Sequence, residues 1–157
     1  MINKAKSFLR IERQMKIMLF EAYIYLAWAR ILKMLPFSKV APSLGEHMEE
    51  TNYFPKLHER KTLLQVSQAV HMMSRYTFWE SQCLVKAIAA LKMLEKRGVE
   101  STLYLGTGKD ENGAFAAHAW LRSGPYYISG AEGMENYTVV SKFAKKLSSG
   151  NEGESYG

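Results

Sequence analysis

Residues 81–97 read SQCLVKAIAALKMLEKR, and this stretch predicts a helix that carries the chain's one cysteine, Cys83, in its first turn. Its apolar residues recur at three- and four-residue steps, the spacing of one helix face, and its alanines, leucines and lysines are good helix formers. Ser81 is a candidate N-cap, and Gly98 can end the helix in a left-handed turn. Cys83 would then lie beside unpaired backbone N–H groups and a partial positive charge, which stabilise a thiolate.

The sequence after Gly98 alternates with a period of two, which predicts strands. The predicted strands cover residues 99–105, 114–121 and 126–129, with a polar, glycine-rich connection at 106–113 and a turn at 123–125. The second strand places His118 and Trp120 on one face. Short strands of this kind, joined by a turn, predict an antiparallel sheet after the helix.

The first part of the chain, residues 7–76, is helical in pattern. One helix runs up to Pro36, which lacks a backbone donor and disfavours helix at the residue before it, and another is predicted over 62–75. Between them, residues 36–61 lose the periodicity and are predicted as loops and short turns. Residues 17–29 are apolar nearly all round, which predicts a helix buried on more than one side.

These patterns predict the α+β class and one domain over residues 1–147. A helical N-terminal part at 7–76 precedes the core at 77–147 that carries the candidate chemistry. The end of the chain, residues 148–157, is rich in glycine, serine and glutamate and is predicted to be a flexible tail.

Composition narrows the classes of function. The 157 residues carry a net charge of +6, which indicates a solvated basic surface or attraction to an acidic partner. No nucleic-acid partner is expected, because no binding module or basic stripe with stacking aromatics is recognisable. A lone cysteine without a signal peptide or membrane span favours a cytoplasmic protein with no stable membrane insertion. No cofactor or metal is expected, since His47, His58 and His71 match no metal motif.

Cys83 and His118 are the candidate functional residues. A thiolate is a nucleophile, and an imidazolium beside it stabilises it and can protonate a leaving amine. Backbone N–H groups at the same helix end can hold a developing oxyanion. The plainer alternative makes Cys83 a small apolar core residue and His118 a packing residue, which leaves a non-catalytic module that binds a peptide or a partner.

Two motifs add a resemblance to a known family. Trp79 lies four residues before Cys83-Leu84, and the run Ala-His-Ala-Trp occupies 117–120. Together with Arg-Gly-Val at 97–99, they resemble the transglutaminase-like cysteine peptidases of lasso-peptide biosynthesis, the leader peptidases of the "B" maturation protein. The resemblance covers nearly the whole chain, because further segments also fit at 21–23, 35–37 and 130–138.

The resemblance implies N-terminal helices packed on a transglutaminase- or papain-like core, in which a cysteine-bearing helix lies against an antiparallel sheet. It implies a cysteine peptidase that removes the leader segment of a ribosomally synthesised lasso-peptide precursor, with Cys83 as nucleophile and His118 as general base and acid. The chain resembles the peptidase half only. A leader-recognition protein in trans is therefore implied as a partner, together with the macrolactam-forming cyclase that acts on the freed core peptide.

The family's third catalytic residue, an aspartate after the histidine, has no counterpart here, since no aspartate follows Asp110. A hairpin centred on residues 123–124 places His118 opposite Ser129 or Gly130, neither of which is a carboxylate. The alternatives for this role are Glu132, Glu135, Asn136, a backbone carbonyl or a water. The same two residues would also support acyl transfer of the transglutaminase type, which is the second alternative to peptide hydrolysis.

Overall fold

A computed structural model describes Lys6 and residues 12–54, 56–77 and 82–147. Over this part of the chain the protein has four α-helices and a five-stranded antiparallel sheet, so the predicted α+β class is confirmed. The helices are α1 (Arg13–Met34), α2 (Phe37–Leu44), α3 (Arg60–Ser74) and α4 (Cys83–Lys96). The strands are β1 (Glu46–His47), β2 (Ser101–Lys109), β3 (Phe115–Ser123), β4 (Tyr126–Ser129) and β5 (Tyr137–Lys145).

Helix α4 is the central element of the core. It packs against α1 and α3 and also against β2, β3 and β4. Its buried positions alternate alanines with larger side chains, which lets neighbouring elements approach closely. Gly98 follows the helix at φ +69°, the left-handed conformation predicted for it. The predicted packing of N-terminal helices on a cysteine-bearing helix, itself against an antiparallel sheet, is therefore confirmed.

An ion pair fixes α1 to the C-terminal end of α4. Two guanidinium nitrogens of Arg97 donate to the Glu21 carboxylate at 2.6 and 2.9 Å, and Lys96 lies 3.6 Å from the same group. Burial favours the neutral acid, but the Arg97 hydrogen bond and charge outweigh it and lower the pKa of Glu21. The two paired charges hold α4, and with it Cys83, in a fixed relation to the N-terminal helices.

Only one side of α1 is buried, so the prediction of burial on more than one side was wrong. Leu19, Ala22 and Leu26 face α3 and α4, whereas Phe20 is 68% exposed and Ile24 is 51% exposed. The helix lies on the outside of the helical layer, and the other elements pack against one of its faces. None of the described helices is long and apolar enough to cross a membrane.

Helix α2 lies within a stretch that was predicted as loops and turns. Pro36 ends α1 as predicted, but it also serves as the N-cap residue of α2. Val40 and Leu44, one helical turn apart, are buried and anchor this short helix. The sequence favoured a loop here because Pro42 removes a backbone donor. The short helix nevertheless continues through Pro42, since Val40 and Leu44 are buried on one of its faces.

The sheet order is β1-β5-β2-β3-β4, with neighbouring strands antiparallel. The prediction that residues 106–113 form a connection was wrong for 106–109, which belong to β2. Position 106 requires glycine because a Cβ there would lie 2.9 Å from the Trp120 ring, so this glycine marks a close approach within β2 rather than a loop. Strand β5 was not predicted, whereas β4 has the bounds that were predicted.

Candidate functional site

Cys83 is the first residue of α4. The residue before it, Gln82, has extended backbone angles and makes no side-chain capping hydrogen bond, while its carbonyl accepts the N–H of Lys86 at 3.0 Å. That bond is the first of the helix, so the N–H groups of Cys83, Leu84 and Val85 have no partner within it. The N-cap is Gln82 rather than Ser81, and Ser81 and Trp79 lie outside the described residues.

Cys83 and His118 line the same cleft. This cleft has a volume of about 430 Å³ and lies where α3, the N-terminus of α4 and the end of β4 meet. Both side chains are partly exposed, so a ligand can reach them. The other side chains around the cleft include two that can carry positive charge, His71 and Lys86. The sequence therefore brings together the two residues that its pattern singled out.

The imidazole of His118 is held in one orientation. Its Nε2 atom lies 2.7 Å from the carbonyl oxygen of Gly130. A carbonyl oxygen only accepts hydrogen bonds, so Nε2 carries the proton and Nδ1 of the neutral ring carries the lone pair. The rings of Trp120 and Tyr137 flank the imidazole, with centroids 5.7 and 5.0 Å away. The structure shows no hydrogen bond between the His118 ring and the Cys83 thiol; the hydrogen bond of the ring is the one to Gly130.

Gly130 is the residue that presents this carbonyl. Its φ of +73° is a left-handed conformation that favours glycine. A Cβ at this position would lie 2.3 Å from the backbone oxygen of Ala119 and 2.9 Å from the Cα of Trp120. No side chain can fit there unless β3 or the segment after β4 moves. The close approach of Gly130 to β3 is therefore the reason that its carbonyl reaches the imidazole of His118.

The predicted hairpin pairing was wrong in register. Ser129 pairs with Leu121, because the β3–β4 ladder shifts between Leu121 and Arg122. The hairpin also turns at Gly124 and Pro125, since Tyr126 pairs with Ser123, and the two differences together place Ser129 opposite Leu121 rather than His118. Of the groups considered for this place, a backbone carbonyl is the one that lies beside the imidazole, and it belongs to Gly130.

None of the three side chains considered for the third role hydrogen-bonds to His118 in the described structure. Glu132 lines the cleft but is exposed, and its carboxylate makes no hydrogen bond to the imidazole. Glu135 and Asn136 lie in a 3₁₀ turn, Met134–Asn136, that leads into β5. The sequence could not identify Gly130, because its signal is a backbone conformation rather than a reactive side chain.

A buried arginine supports the hairpin that carries both His118 and Gly130. Arg122 is 1% exposed and donates to the Gly124 carbonyl in the β3–β4 turn at 2.8 Å and to the Thr51 carbonyl at 2.8 Å. It also donates to the hydroxyl of Tyr104 at 2.9 Å. Since a buried guanidinium must satisfy its donors, these bonds fix the turn against β2 and the segment before α3.

Glu50 supplies the negative charge of this network. Its carboxylate lies 2.6 Å from the Lys142 ammonium and accepts hydrogen bonds from the hydroxyls of Tyr53 and Tyr104. The bonds from Lys142 and Tyr53 lower the pKa of Glu50 to about 2. Burial raises the pKa of Tyr104, which stays a neutral donor with its ring stacked on Trp120 at 5.6 Å. This stack connects the network to the ring that flanks His118.

No cluster of histidine, cysteine, aspartate and glutamate side chains in the described part of the chain is arranged to hold a metal ion. The described site contains a thiol, an imidazole, first-turn N–H groups and a carbonyl that orients the imidazole. These groups provide a nucleophile, a proton acceptor and hydrogen-bond donors for an oxyanion, which are the requirements of acyl transfer through a thioester.

Comparison with protein-family models gives a match to the transglutaminase-like superfamily over residues 23–142. The matched region runs from within α1 to within β5 and includes both Cys83 and His118. No curated protein and no solved structure matches the chain.

Proposed function

The chain belongs to the transglutaminase-like superfamily, and from this premise we propose that it is a cysteine peptidase with Cys83 as nucleophile and His118 as general base and acid. The observation that carries the proposal is the shared cleft, which is lined both by a thiol at a helix N-terminus and by an imidazole whose Nε2 is fixed by the Gly130 carbonyl. That bond leaves Nδ1 as the nitrogen that can exchange a proton with the thiol.

In the first half of the reaction, Nδ1 of His118 takes the proton from the Cys83 thiol. The thiolate forms a bond to the carbonyl carbon of the scissile peptide, and the carbonyl oxygen takes up the negative charge. First-turn N–H groups of α4 hydrogen-bond to this oxyanion. When the C–N bond breaks, the imidazolium gives its proton to the leaving amine, and a thioester with Cys83 stays on the enzyme.

In the second half, His118 takes a proton from a water molecule, whose oxygen bonds to the thioester carbonyl carbon. The C–S bond then breaks, and Cys83 recovers its proton from the imidazolium. The Gly130 carbonyl accepts the hydrogen bond from Nε2–H throughout, so the ring keeps one orientation while Nδ1 gains and loses a proton. This carbonyl takes the orienting role that an acid has in a catalytic triad.

The proposed substrate is the precursor of a lasso peptide, cleaved between its leader and its core. This finer assignment is supported by the motifs Trp79 to Leu84 and Ala117 to Trp120 in their order along the chain. The proposal includes a leader-recognition protein in trans that delivers the precursor, and a cyclase that uses the freed amine. The basic net charge of +6 favours association with acidic partners.

The proposal is tested by incubating the full chain with a lasso precursor peptide and its leader-recognition protein and measuring the products by mass spectrometry. We expect a leader and a core whose masses together exceed the precursor by one water, and no products from Cys83→Ala. A primary alkylamine in the same reaction separates hydrolysis from acyl transfer, since a transferase gives mainly a leader that carries the amine and a peptidase gives mainly the free acid. Full cleavage by Cys83→Ala would overturn the proposal, because it would show that the thiol is not the nucleophile. Binding of the precursor without any cleavage by the native chain would overturn it too and favour a non-catalytic binding module.

A further inference from the structure

A second cavity opens directly beside the cleft. It has a volume of about 220 Å³ and lies between α3 and β4, with Leu63, Leu64 and Tyr126 in its wall. Ser67, Tyr127 and Ile128 line both this cavity and the cleft that holds Cys83 and His118. The two spaces are therefore parts of one groove, which starts at the reactive thiol and continues along α3.

The chemistry of this second cavity is apolar. Leu63 and Ile128 are buried and form its floor, while Leu64 is 54% exposed and Tyr127 is 43% exposed. Ser67 brings an aliphatic hydroxyl to the junction, and its Oγ donates to the Ile128 carbonyl at 2.7 Å. Arg60 also lines this cavity but is exposed, so its charged group can stay in water. Because the Ser67 hydroxyl is already bonded, the pocket offers mainly aliphatic and aromatic contact.

The same hydrogen bond decides how a peptide would bind there. Strand β4 is at the end of the sheet order, so its outer edge could in principle pair with an added strand. Ser67 already donates to the Ile128 carbonyl and α3 packs against β4, which disfavours continuous strand pairing along β4. Recognition in this part of the groove is therefore expected to come from a side chain that enters the pocket.

We propose that the cavity between α3 and β4 is a substrate subsite that takes one large aliphatic or aromatic side chain within a few residues of the scissile bond. This inference rests on the proposed peptidase function, because continuity with the Cys83 cleft makes the occupant part of the peptide substrate, and we assign it to the acyl-donor side of the scissile bond. An extended peptide advances about 3.3 Å per residue, so a neighbouring residue reaches a space that shares three lining residues with the cleft. Burial of one such side chain provides selectivity among peptides.

The test uses peptidyl chloromethyl ketones that label the chain's lone thiol. Three tripeptidyl probes carry leucine at the first, second or third position from the electrophile with glycine elsewhere, and a fourth contains only glycine. The second-order rate of Cys83 labelling is measured by intact mass. We expect one leucine probe to react about tenfold or more faster than the all-glycine probe. We expect Leu64→Asp to abolish that preference, while Ile24→Asp, similarly exposed but on the outer face of α1 and absent from the lining of the groove, keeps it.

Iodoacetamide separates failure of the subsite from failure of the proposed function. It has no side chain to place, so Leu64→Asp should leave its rate of Cys83 labelling unchanged. A native thiol that reacts with iodoacetamide but shows no leucine preference, or keeps the preference in both Leu64→Asp and Tyr127→Ala, overturns the subsite alone. A thiol that reacts with neither reagent until the protein unfolds overturns both proposals.

Discussion

The Nε2 atom of His118 lies 2.7 Å from the carbonyl oxygen of Gly130, a backbone group in the place where a triad would have a carboxylate. This contact fixes the tautomer of the imidazole and leaves Nδ1 to exchange a proton with a thiol. A neutral carbonyl stabilises an imidazolium less than a carboxylate does, because it brings a dipole rather than a full charge. We therefore infer that orientation, more than charge, is the contribution of Gly130.

The Gly130→Ala variant should lose activity because its Cβ would meet the Ala119 carbonyl and the Trp120 backbone and displace the Gly130 carbonyl. We expect the rate of Cys83 alkylation at neutral pH, and precursor cleavage, to fall about tenfold or more. The matched control is Gly133→Ala, since Gly133 has a similar φ of +78° but its Cβ would meet only the Asn136 amide at 3.9 Å. Equal losses in the two variants would show that backbone strain, not the carbonyl, explains the effect.

The Glu132→Gln variant tests whether a carboxylate in the cleft orients His118. Because Glu132 makes no hydrogen bond to the imidazole, we expect kcat/KM for precursor cleavage to fall less than about fivefold. Loss of a true orienting acid costs several orders of magnitude in a serine protease. A loss of about a hundredfold or more in Glu132→Gln, with the fold intact by circular dichroism, would therefore assign the third role to Glu132 and contradict our account.

Glu50 makes the stability of the protein depend on acid. Its pKa falls from 4.5 to about 2 on folding, so its contribution is fully present above pH 4.5 and is lost as the pH falls toward 2. The Tm difference between wild type and Glu50→Gln should be largest above pH 4.5 and shrink as the pH approaches 2. Glu111→Gln, an exposed residue of the β2–β3 turn, serves as the control. A difference that does not change with pH would show that Glu50 stabilises the fold as a neutral group.

Local patterns predicted the elements that are determined by nearby residues. The spacing of apolar residues predicted α4, Gly98 predicted its end, and the Gly124 turn predicted β4. The same patterns predicted that the helix carrying Cys83 packs on the sheet carrying His118, because a helix N-terminus and a strand can both be recognised in a sequence. The two residues line one cleft in the structure.

Elements that depend on distant partners were missed. In β5, Val139 and Val140 are adjacent and both exposed, which breaks the alternation that marks a strand. Its pairing with β2 supplies the hydrogen bonds that the local pattern does not reveal. In the sequence Gly106 is typical of a loop, and only the structure shows that the Trp120 ring lies against it. The role of Gly130 likewise arises only from its contact with β3.

The most direct test is the rate of Cys83 alkylation by iodoacetamide as a function of pH, in the native wild type, in His118→Ala and in His71→Ala. The lone cysteine makes the signal unambiguous, and His71→Ala removes another imidazole from the same cleft. We predict that at neutral pH the wild type reacts faster than His118→Ala, with a smaller loss of rate in His71→Ala. Identical profiles for wild type and His118→Ala, or a thiol that reacts only after unfolding, would contradict the proposed pair of Cys83 and His118.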